Sequence, residues 1–417
     1  MSEISAAIGF NLIVVSPTIA LVGTALVLLF FTITIESNEI VKQSITFIGI
    51  LVTLFCVFLK FGLFFENGIS SYFTQKILLD EFSLFGNVLI SLILLFNFLP
   101  IWDSSKQLKE KTTEAIILIL MSASGFMLMI DSENLIMLFI GLEIGSISLY
   151  ALAGLNRGDK LSNEASLKYF LLGSLASCIL IYGVSLVYVS FSVLSVYNFA
   201  LGLAYVGPDS VPLTTSIGVL LIFIGLLFKI AAAPFQSWAP DVYQGSPTGY
   251  VGFMSSIAKA SSFIVIARLC LVSINFIIED FNIFFLIVII SSALIGSLFA
   301  SIQEDLKRLL AYSGVVQSGF ILSGIVSGIN GTSASMFYLF TYILQLIGIF
   351  IIFSIINGKL SSEFNIQSIQ GLIVNNRFLA TSFCVFMFGL AGIPLTSGFV
   401  SKLSLIHISE PTRLSAI

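Results

Sequence analysis

From Ile217 to Pro247 the chain reads IGVLLIFIGLLFKIAAAPFQSWAPDVYQGSP, an apolar run long enough to enter a bilayer that nevertheless carries Lys229 near its middle and Pro234 five positions later. A proline inside a helix removes one backbone donor and displaces the carbonyl four residues back, and hydrocarbon has nothing to compensate either loss. Such a break survives only against protein or internal water. A charged lysine at that depth costs from roughly three to more than ten kcal/mol, so it must face a polar interior and have a partner there. Lys229 is therefore the first candidate proton carrier.

The chain around this stretch is built for a membrane. Of its 417 residues 57% are hydrophobic and 10% charged, far from the proportions of a soluble domain. The net charge of -4 carries little information, because in such a chain the placement of charge matters and its sum does not. Cys56, Cys178, Cys270 and Cys384 lie in apolar runs without CxxC spacing or a nearby histidine and are expected to be packing residues. No cofactor and no nucleic-acid partner is expected. The first apolar run is of spanning length and lacks a basic leader, which argues against a cleavable signal peptide.

Runs of spanning length fall at Gly9–Ile33, Gln43–Phe64, Phe82–Trp102, Thr113–Ile130, Glu133–Leu155 and Leu167–Phe191. They continue at Thr215–Trp238, Pro247–Ile274, Phe281–Gln303, Lys307–Gly328, Ser333–Ile356 and from Asn376 onward, twelve segments in all. Loops after odd-numbered segments hold Lys42, Lys106, Lys109, Lys111, Arg157, Lys160, Lys168, Lys307, Arg308, Lys359 and Arg377, whereas those after even-numbered segments hold only Lys76. That asymmetry supports the count and places the N-terminus on the outer, positive side.

Few charges remain at depth. Glu143 in segment five, Lys229 and Lys259 in segments seven and eight, and Lys402 after the break in segment twelve are expected near the mid-plane, as one row. Arg268 and Lys60 read as anchors that snorkel to segment ends. Asp305, Lys307 and Arg308 read as a solvated charged loop, with Asp305 the weaker candidate for proton entry; Lys168 reads equally as an entry group or an anchor. Gln345 and Tyr342 suit interhelical hydrogen bonds. FKIAAAP at Phe228–Pro234 has an echo in FGLAGIP at Phe388–Pro394, with Pro234 and Pro394 both breaking their helices. ENLIML from Glu133 and EDLKRL from Glu304 open segments five and ten. Five segments separate the copies, an odd number, so the second would be inverted, and paired broken helices in inverted repeats place a working site at the mid-plane.

These stretches carry a family resemblance. FKIAAAPFQSWAPDVYQGSPT, NLIMLFIGLEIGSISLYAL, EASLKYFLLGS, QEDLKRLLAYSGVVQSGF and GLAGIPLTSGFVSK resemble the antiporter-like membrane subunits of proton-pumping NADH:quinone oxidoreductase, respiratory complex I. PDVYQGSP is most similar to the subunit N branch, the counterpart of mitochondrial subunit 2. Gln236 stands where many members of that branch have histidine. The resemblance implies an all-α, polytopic transmembrane bundle of fourteen segments with broken helices seven and twelve and inverted five-helix repeats. It divides the chain into a three-helix region (1–112), a first repeat (113–274), a second, incomplete repeat (275–402) and a remainder (403–417). By matched motif, Glu143, Lys229, Lys259 and Lys402 take the places of the family's proton-carrying glutamate and lysines.

The remainder departs from that pattern. LSLIHISEPTR at 403–413 resembles a translated sequencing adapter, so the tail, with the only histidine, His407, reads as non-native and the native chain as longer.

The expected chemistry is proton movement through a buried Glu/Lys row. Glu143 pairing with Lys229 would hold the lysine's proton, and separation would send it toward Lys259 and then Lys402. Lacking a dinucleotide fingerprint, a P-loop or cluster-ligand cysteines, the chain would leave NADH, FMN, Fe–S clusters and quinone to partner subunits. Its own partners would be other membrane subunits, lipid, protons and internal water, in a bacterial plasma membrane or a mitochondrial inner membrane. The rivals are a subunit of a multisubunit cation/proton antiporter, a membrane-arm scaffold that conducts nothing, and a static Glu143–Lys229 pair that only fixes packing.

Overall fold

The computed structural model describes residues 2–34, 39–107, 112–207, 210–357 and 364–409. Lys109, Lys111, Lys359 and the tail beyond Ser409 lie outside the described residues. In chain order the elements are α1 (Ser2–Thr34), α2 (Glu39–Asn67), a hairpin of β1 (Ser70–Tyr72) and β2 (Ile77–Leu79), α3 (Glu81–Gln107), α4 (Thr112–Asp131), α5 (Leu135–Ala153) and α6 (Lys160–Phe191). There follow α7 (Val196–Val206), α8 (Leu213–Lys229), α9 (Trp238–Gly245), α10 (Thr248–Ser301), α11 (Leu306–Val326), α12 (Ile329–Asn357), α13 (Leu372–Asn375), α14 (Arg377–Ala391) and α15 (Ser397–Ser409). Among the described residues ten helical stretches are long and apolar enough to cross a membrane, and three shorter apolar helices join them. The chain is an all-α polytopic membrane bundle.

Where helices start, short polar side chains receive the free amides. Asn134 accepts from Ile136 at 2.9 Å, Asp159 from Leu161 at 3.0 Å, and Asp305 from Arg308 at 2.9 Å. Small residues let the helices approach closely. A Cβ at Gly125 of α4 would lie 2.4 Å from the Gly145 amide of α5, and one at Gly183 of α6 would lie 2.5 Å from the Gly218 carbonyl of α8.

α10 is helical throughout, yet Lys259 bonds Gly314 while Gly296 packs on Tyr312 and Val316 one turn away. A straight helix would separate residues 259 and 296 by about 55 Å. The run therefore doubles back and supplies two spans, Thr248–Leu271 and Phe281–Ser301. Its first span is 94% buried, so it forms the axis of the molecule. Lipid-facing side chains such as Phe30, Phe55 and Phe58 cover the periphery.

At one end of the bundle the hairpin roofs α4 and α5. Ile77 bridges Ser132, and the Glu133 amide donates to the Lys76 carbonyl at 3.0 Å. Neither the hairpin nor α7 was expected from the spans, because each packs on neighbours distant in sequence.

Candidate functional site

Lys229 ends α8, and the backbone stays unwound until Trp238, with Ala231 at φ +56° and Pro234 inside the gap. Groups released by the unwinding find partners on the axis. Ala233 donates its amide to Ser292 Oγ at 2.9 Å, Ser318 Oγ donates to the Ile230 carbonyl at 2.9 Å, and Trp238 Nε1 donates to the Phe228 carbonyl at 3.0 Å. This is how the interruption avoids bare backbone in hydrocarbon.

The Lys229 ammonium, 2% exposed, donates to Tyr150 OH at 2.7 Å and Ser146 Oγ at 3.0 Å. Both hydroxyls are on α5, three and seven positions after Glu143, a spacing that places all three on one face. Glu143 does not touch the lysine; one oxygen of its carboxyl accepts from Ser177 of α6. Of the paired and separated arrangements expected, the structure holds the separated one. Glu143 is turned toward α6, and the hydroxyls of the next two turns of α5 meet the ammonium in its place.

Lys259, also 2% exposed, donates to the Gly314 carbonyl of α11 at 2.8 Å and to Tyr342 OH of α12 at 3.4 Å. Lys402 of α15 reaches back across the second interruption, where α14 ends on Gly392 at φ +79° and Pro394 follows. Its ammonium takes the Leu390 and Ala391 carbonyls at 3.0 Å each, a cation on the negative end of a helix. The Lys402 ammonium also lies over the Phe320 ring, 5.3 Å from its centroid, whereas Lys229 and Lys259 meet Tyr150 and Tyr342 at the hydroxyl edge. Tyr342, which bonds Lys259, and Leu390, whose carbonyl bonds Lys402, line one narrow crevice together with Gln317, Tyr338 and Gln345. Gln345 makes its expected interhelical bond, to Ser397 Oγ at 3.1 Å. Among the described residues no carboxylate oxygen lies within 4.0 Å of Lys229, Lys259 or Lys402.

The end opposite the hairpin is tied by Asp241 of α9, a residue the sequence reading passed over. Its carboxylate accepts from Lys168 of α6 at 2.6 Å and from Arg308 of α11 at 2.7 Å. Burial alone would push this carboxyl up, but the bonds from Lys168 and Arg308 outweigh it and hold Asp241 below the usual carboxylate range. Lys168 also pairs with Glu164 at 2.6 Å, and Asp305 caps α11. Lys307 corrects the expected solvated loop. It is 8% exposed and donates to the Ser246 carbonyl at 3.0 Å, closing the end of α9.

Lys60 and Arg268 are not snorkelling anchors. Lys60 is fully buried on Asp131 at 2.9 Å, and Arg268 grips Asp80 with two bonds of 2.9 and 2.6 Å. The basis for the correction is that both acids sit at the same membrane level as the cations, so pairing replaces escape to water.

With this geometry in view, the chain was compared with known proteins. A family model described as "NADH:quinone oxidoreductase/Mrp antiporter, TM" matches residues 132–412. The chain belongs to that family. A protein of Trichlorobacter lovleyi named NADH-quinone oxidoreductase subunit N is 34% identical over 96% of this chain and 81% of its own length. Another so named, from Solibacter usitatus, is 36% identical over 82% of this chain and 70% of its own length. Among solved structures, respiratory complex I from Thermus thermophilus superposes with a TM-score of 0.77 at 25% identity, covering 94% of this chain and 83% of that one. A chain of the Mrp complex from a Dietzia species shares the fold, with a TM-score of 0.81 at 21% identity over 95% of this chain and 74% of that one.

The residues that sequence reasoning missed are hydroxyls and their acids: Ser146, Tyr150, Ser177 and Asp241. One signal was available for the first two. Positions 143, 146 and 150 put three polar groups on one face of an otherwise apolar segment.

Proposed function

We propose that this chain is a proton-translocating membrane subunit of an NADH:quinone oxidoreductase, with Glu143, Lys229, Lys259 and Lys402 carrying the proton. One observation supports the assignment above the others: the buried Lys229 and Lys259 and the half-buried Lys402 are held by hydroxyl and carbonyl oxygens, with no carboxylate in contact among the described residues. A carboxylate partner would fasten the proton to the lysine. Tyr150 and Ser146 instead accept from an ammonium or donate to a neutral amine, so Lys229 has a partner in either protonation state. Glu143, one turn from Ser146, tunes the pair by its charge without fixing it. From Lys259 the polar crevice at Tyr342 and Gln317 continues toward Lys402.

Glu143 also supports partner subunits. It is half-buried on a face of α5 and α6 where Ile140, Ile147, Leu171 and Leu175 are exposed. A mid-span carboxylate cannot face lipid, so another membrane subunit covers it. Electron transfer through NADH, FMN, Fe–S clusters and quinone belongs to partners in this reading. The two interrupted helices, each with a lysine at its gap, mark inverted repeats at 113–274 and 275–402, and the hairpin end faces the positive side of a bacterial plasma membrane.

Replacing Lys229 by Ala in the assembled complex should remove most NADH-driven proton uptake into vesicles while the complex still assembles; normal pumping with normal assembly would take that lysine off the path. The fold shared with an Mrp complex favours the second reading, a cation/proton antiporter subunit. Sodium-dependent transport without NADH would select it.

A further inference from the structure

The buried charges at the hairpin end take no part in the row described above. Asp131, at the end of α4, accepts from Lys60 of α2 at 2.9 Å and from the Asn87 amide of α3 at 2.8 Å. Arg268 of α10 bonds Asp80 and also donates to the Ile130 and Ser132 carbonyls on either side of Asp131, which makes the two pairs one cluster. Glu133, 3% exposed, completes it; Ser195 donates to one of its oxygens at 3.0 Å, and the other is buried without a hydrogen-bond partner. Nearby charged side chains at Glu66, Lys76 and Glu81 are exposed. Among the described residues the buried group therefore holds three acids, Asp80, Asp131 and Glu133, against two cations, Lys60 and Arg268.

An unbalanced negative charge inside a membrane protein is relieved most simply by taking up a proton. The two acids best placed to hold it are Asp131 and Glu133. Asp80 is committed to the Arg268 fork.

Polar atoms lie at levels between this cluster and Lys259. α3 and α10 run antiparallel, with Gly252 against Asn97, Gly86 against Ile264 and Asp80 on Arg268. That register puts Ser91 level with Lys259, and Asn87 level with Ser262. Asn87 Oδ1 and Ser262 Oγ are buried and lack hydrogen-bond partners. Buried polar atoms in that condition are where proteins lodge internal water.

We propose that Asp131 and Glu133 share one exchangeable proton and form a release site, beneath the hairpin, for protons that leave Lys259 by a branch separate from the step to Lys402. This rests on the reading that Lys259 carries protons. In the loaded state one of the two carboxyls is protonated. Loss of that proton to water at the hairpin face leaves the cluster with its uncompensated charge. That charge draws a proton from the Lys259 ammonium through water at Ser262 and Asn87; the lysine becomes a neutral amine, the carboxylate becomes an acid, and the site is loaded again. Lys60 and Arg268 hold the emptied carboxylates in place without neutralising all of them.

The test uses the assembled oxidoreductase in lipid vesicles, with pumping, NADH oxidation and the infrared C=O stretch of protonated carboxyls as readouts. The unaltered complex should show a protonated-carboxyl band that is lost in D131N or E133Q, and E133Q should lose pumping while NADH oxidation continues. The double variant K60M/D131L removes the pair as a unit and strands neither member, so it should assemble and, with one of the two sharing carboxyls gone, still fail to pump. A band that persists in both D131N and E133Q overturns the proposal, as does wild-type pumping by E133Q or by K60M/D131L. K259M separates the two readings: normal pumping there refutes the carrier role of Lys259, whereas lost pumping there with normal pumping in E133Q and K60M/D131L refutes the release site alone.

Discussion

Tyr150 OH stands 2.7 Å from the Lys229 ammonium, and the edge of its ring meets Tyr169, which in turn stacks on Trp238 at the start of α9. The hydroxyl that holds the lysine is thereby set by the far side of the interruption the lysine borders. Two aromatic contacts thus link α9 to the hydroxyl that holds Lys229.

Removing that hydroxyl tests the relationship. Tyr150→Phe keeps the ring stack and leaves the ammonium with Ser146 alone. Hydrogen bonds to charged groups contribute roughly 1.5–3 kcal/mol, so pumping per NADH oxidised should fall by about tenfold or more with assembly intact. Tyr150→Phe pumping at the wild-type rate would show that Ser146 suffices.

Gly314 makes a sharper test of Lys259. A Cβ there would lie 2.4 Å from Lys259 Nζ, the far end of a long side chain, and 2.9 Å from the Tyr342 hydroxyl, which must shift by a few tenths of an ångström with it. Gly314→Ala should therefore fold and assemble, with the ammonium displaced from the Gly314 carbonyl. The expected result is a complex of near-normal thermal stability with strongly reduced pumping; reduced stability with pumping unchanged would reverse the interpretation.

The spans and interruptions were legible in the sequence because their signals are local. Hydropathy over twenty residues, Pro234 and Pro394, and four charges at depth need no knowledge of neighbours. Partner choice was not local. Lys60 and Arg268 looked like anchors because their acids lie 71 and 188 residues away, and no periodicity reports a contact of that range. Glu143 and Lys229 were expected to alternate between a paired and a separated state. The structure inserts Ser146 and Tyr150 between them, a substitution that depends on how α5 is rotated against α6 and α8. The α10 register, which puts Asn87 level with Ser262, was equally out of reach.

The Arg268–Asp80 fork carries a stability prediction. Removing one member of a buried pair strands the other and costs about 3–5 kcal/mol, whereas replacing both by apolar residues is often neutral. Arg268→Met alone should sharply lower the thermal stability of the complex, and Arg268→Met with Asp80→Leu should recover most of it. If the double variant is as unstable as the single one, the loss comes from the Ile130 and Ser132 carbonyls that Arg268 also serves and the Ser83 amide that Asp80 accepts from.

Asp241 tests whether the clamp on α9 responds to pH. Its pKa is lowered in the folded protein despite burial, because Lys168 and Arg308 favour the carboxylate. A depressed carboxyl contributes stability that is present above its unfolded value, near 4, and is lost only as pH falls through the lower folded value. The clamp should therefore hold unchanged from neutral pH down to about pH 5. Amide hydrogen exchange in α9, corrected for its intrinsic pH dependence, should be flat over that range. Asp241→Asn should raise it at every pH. Both pairs are partly exposed, with Asp241 30% and Lys168 42% accessible, so the effect is modest: about 1 kcal/mol, or roughly fivefold in exchange. Loosening of α9 in the unaltered protein near pH 6 would mean that a group other than Asp241 governs the clamp.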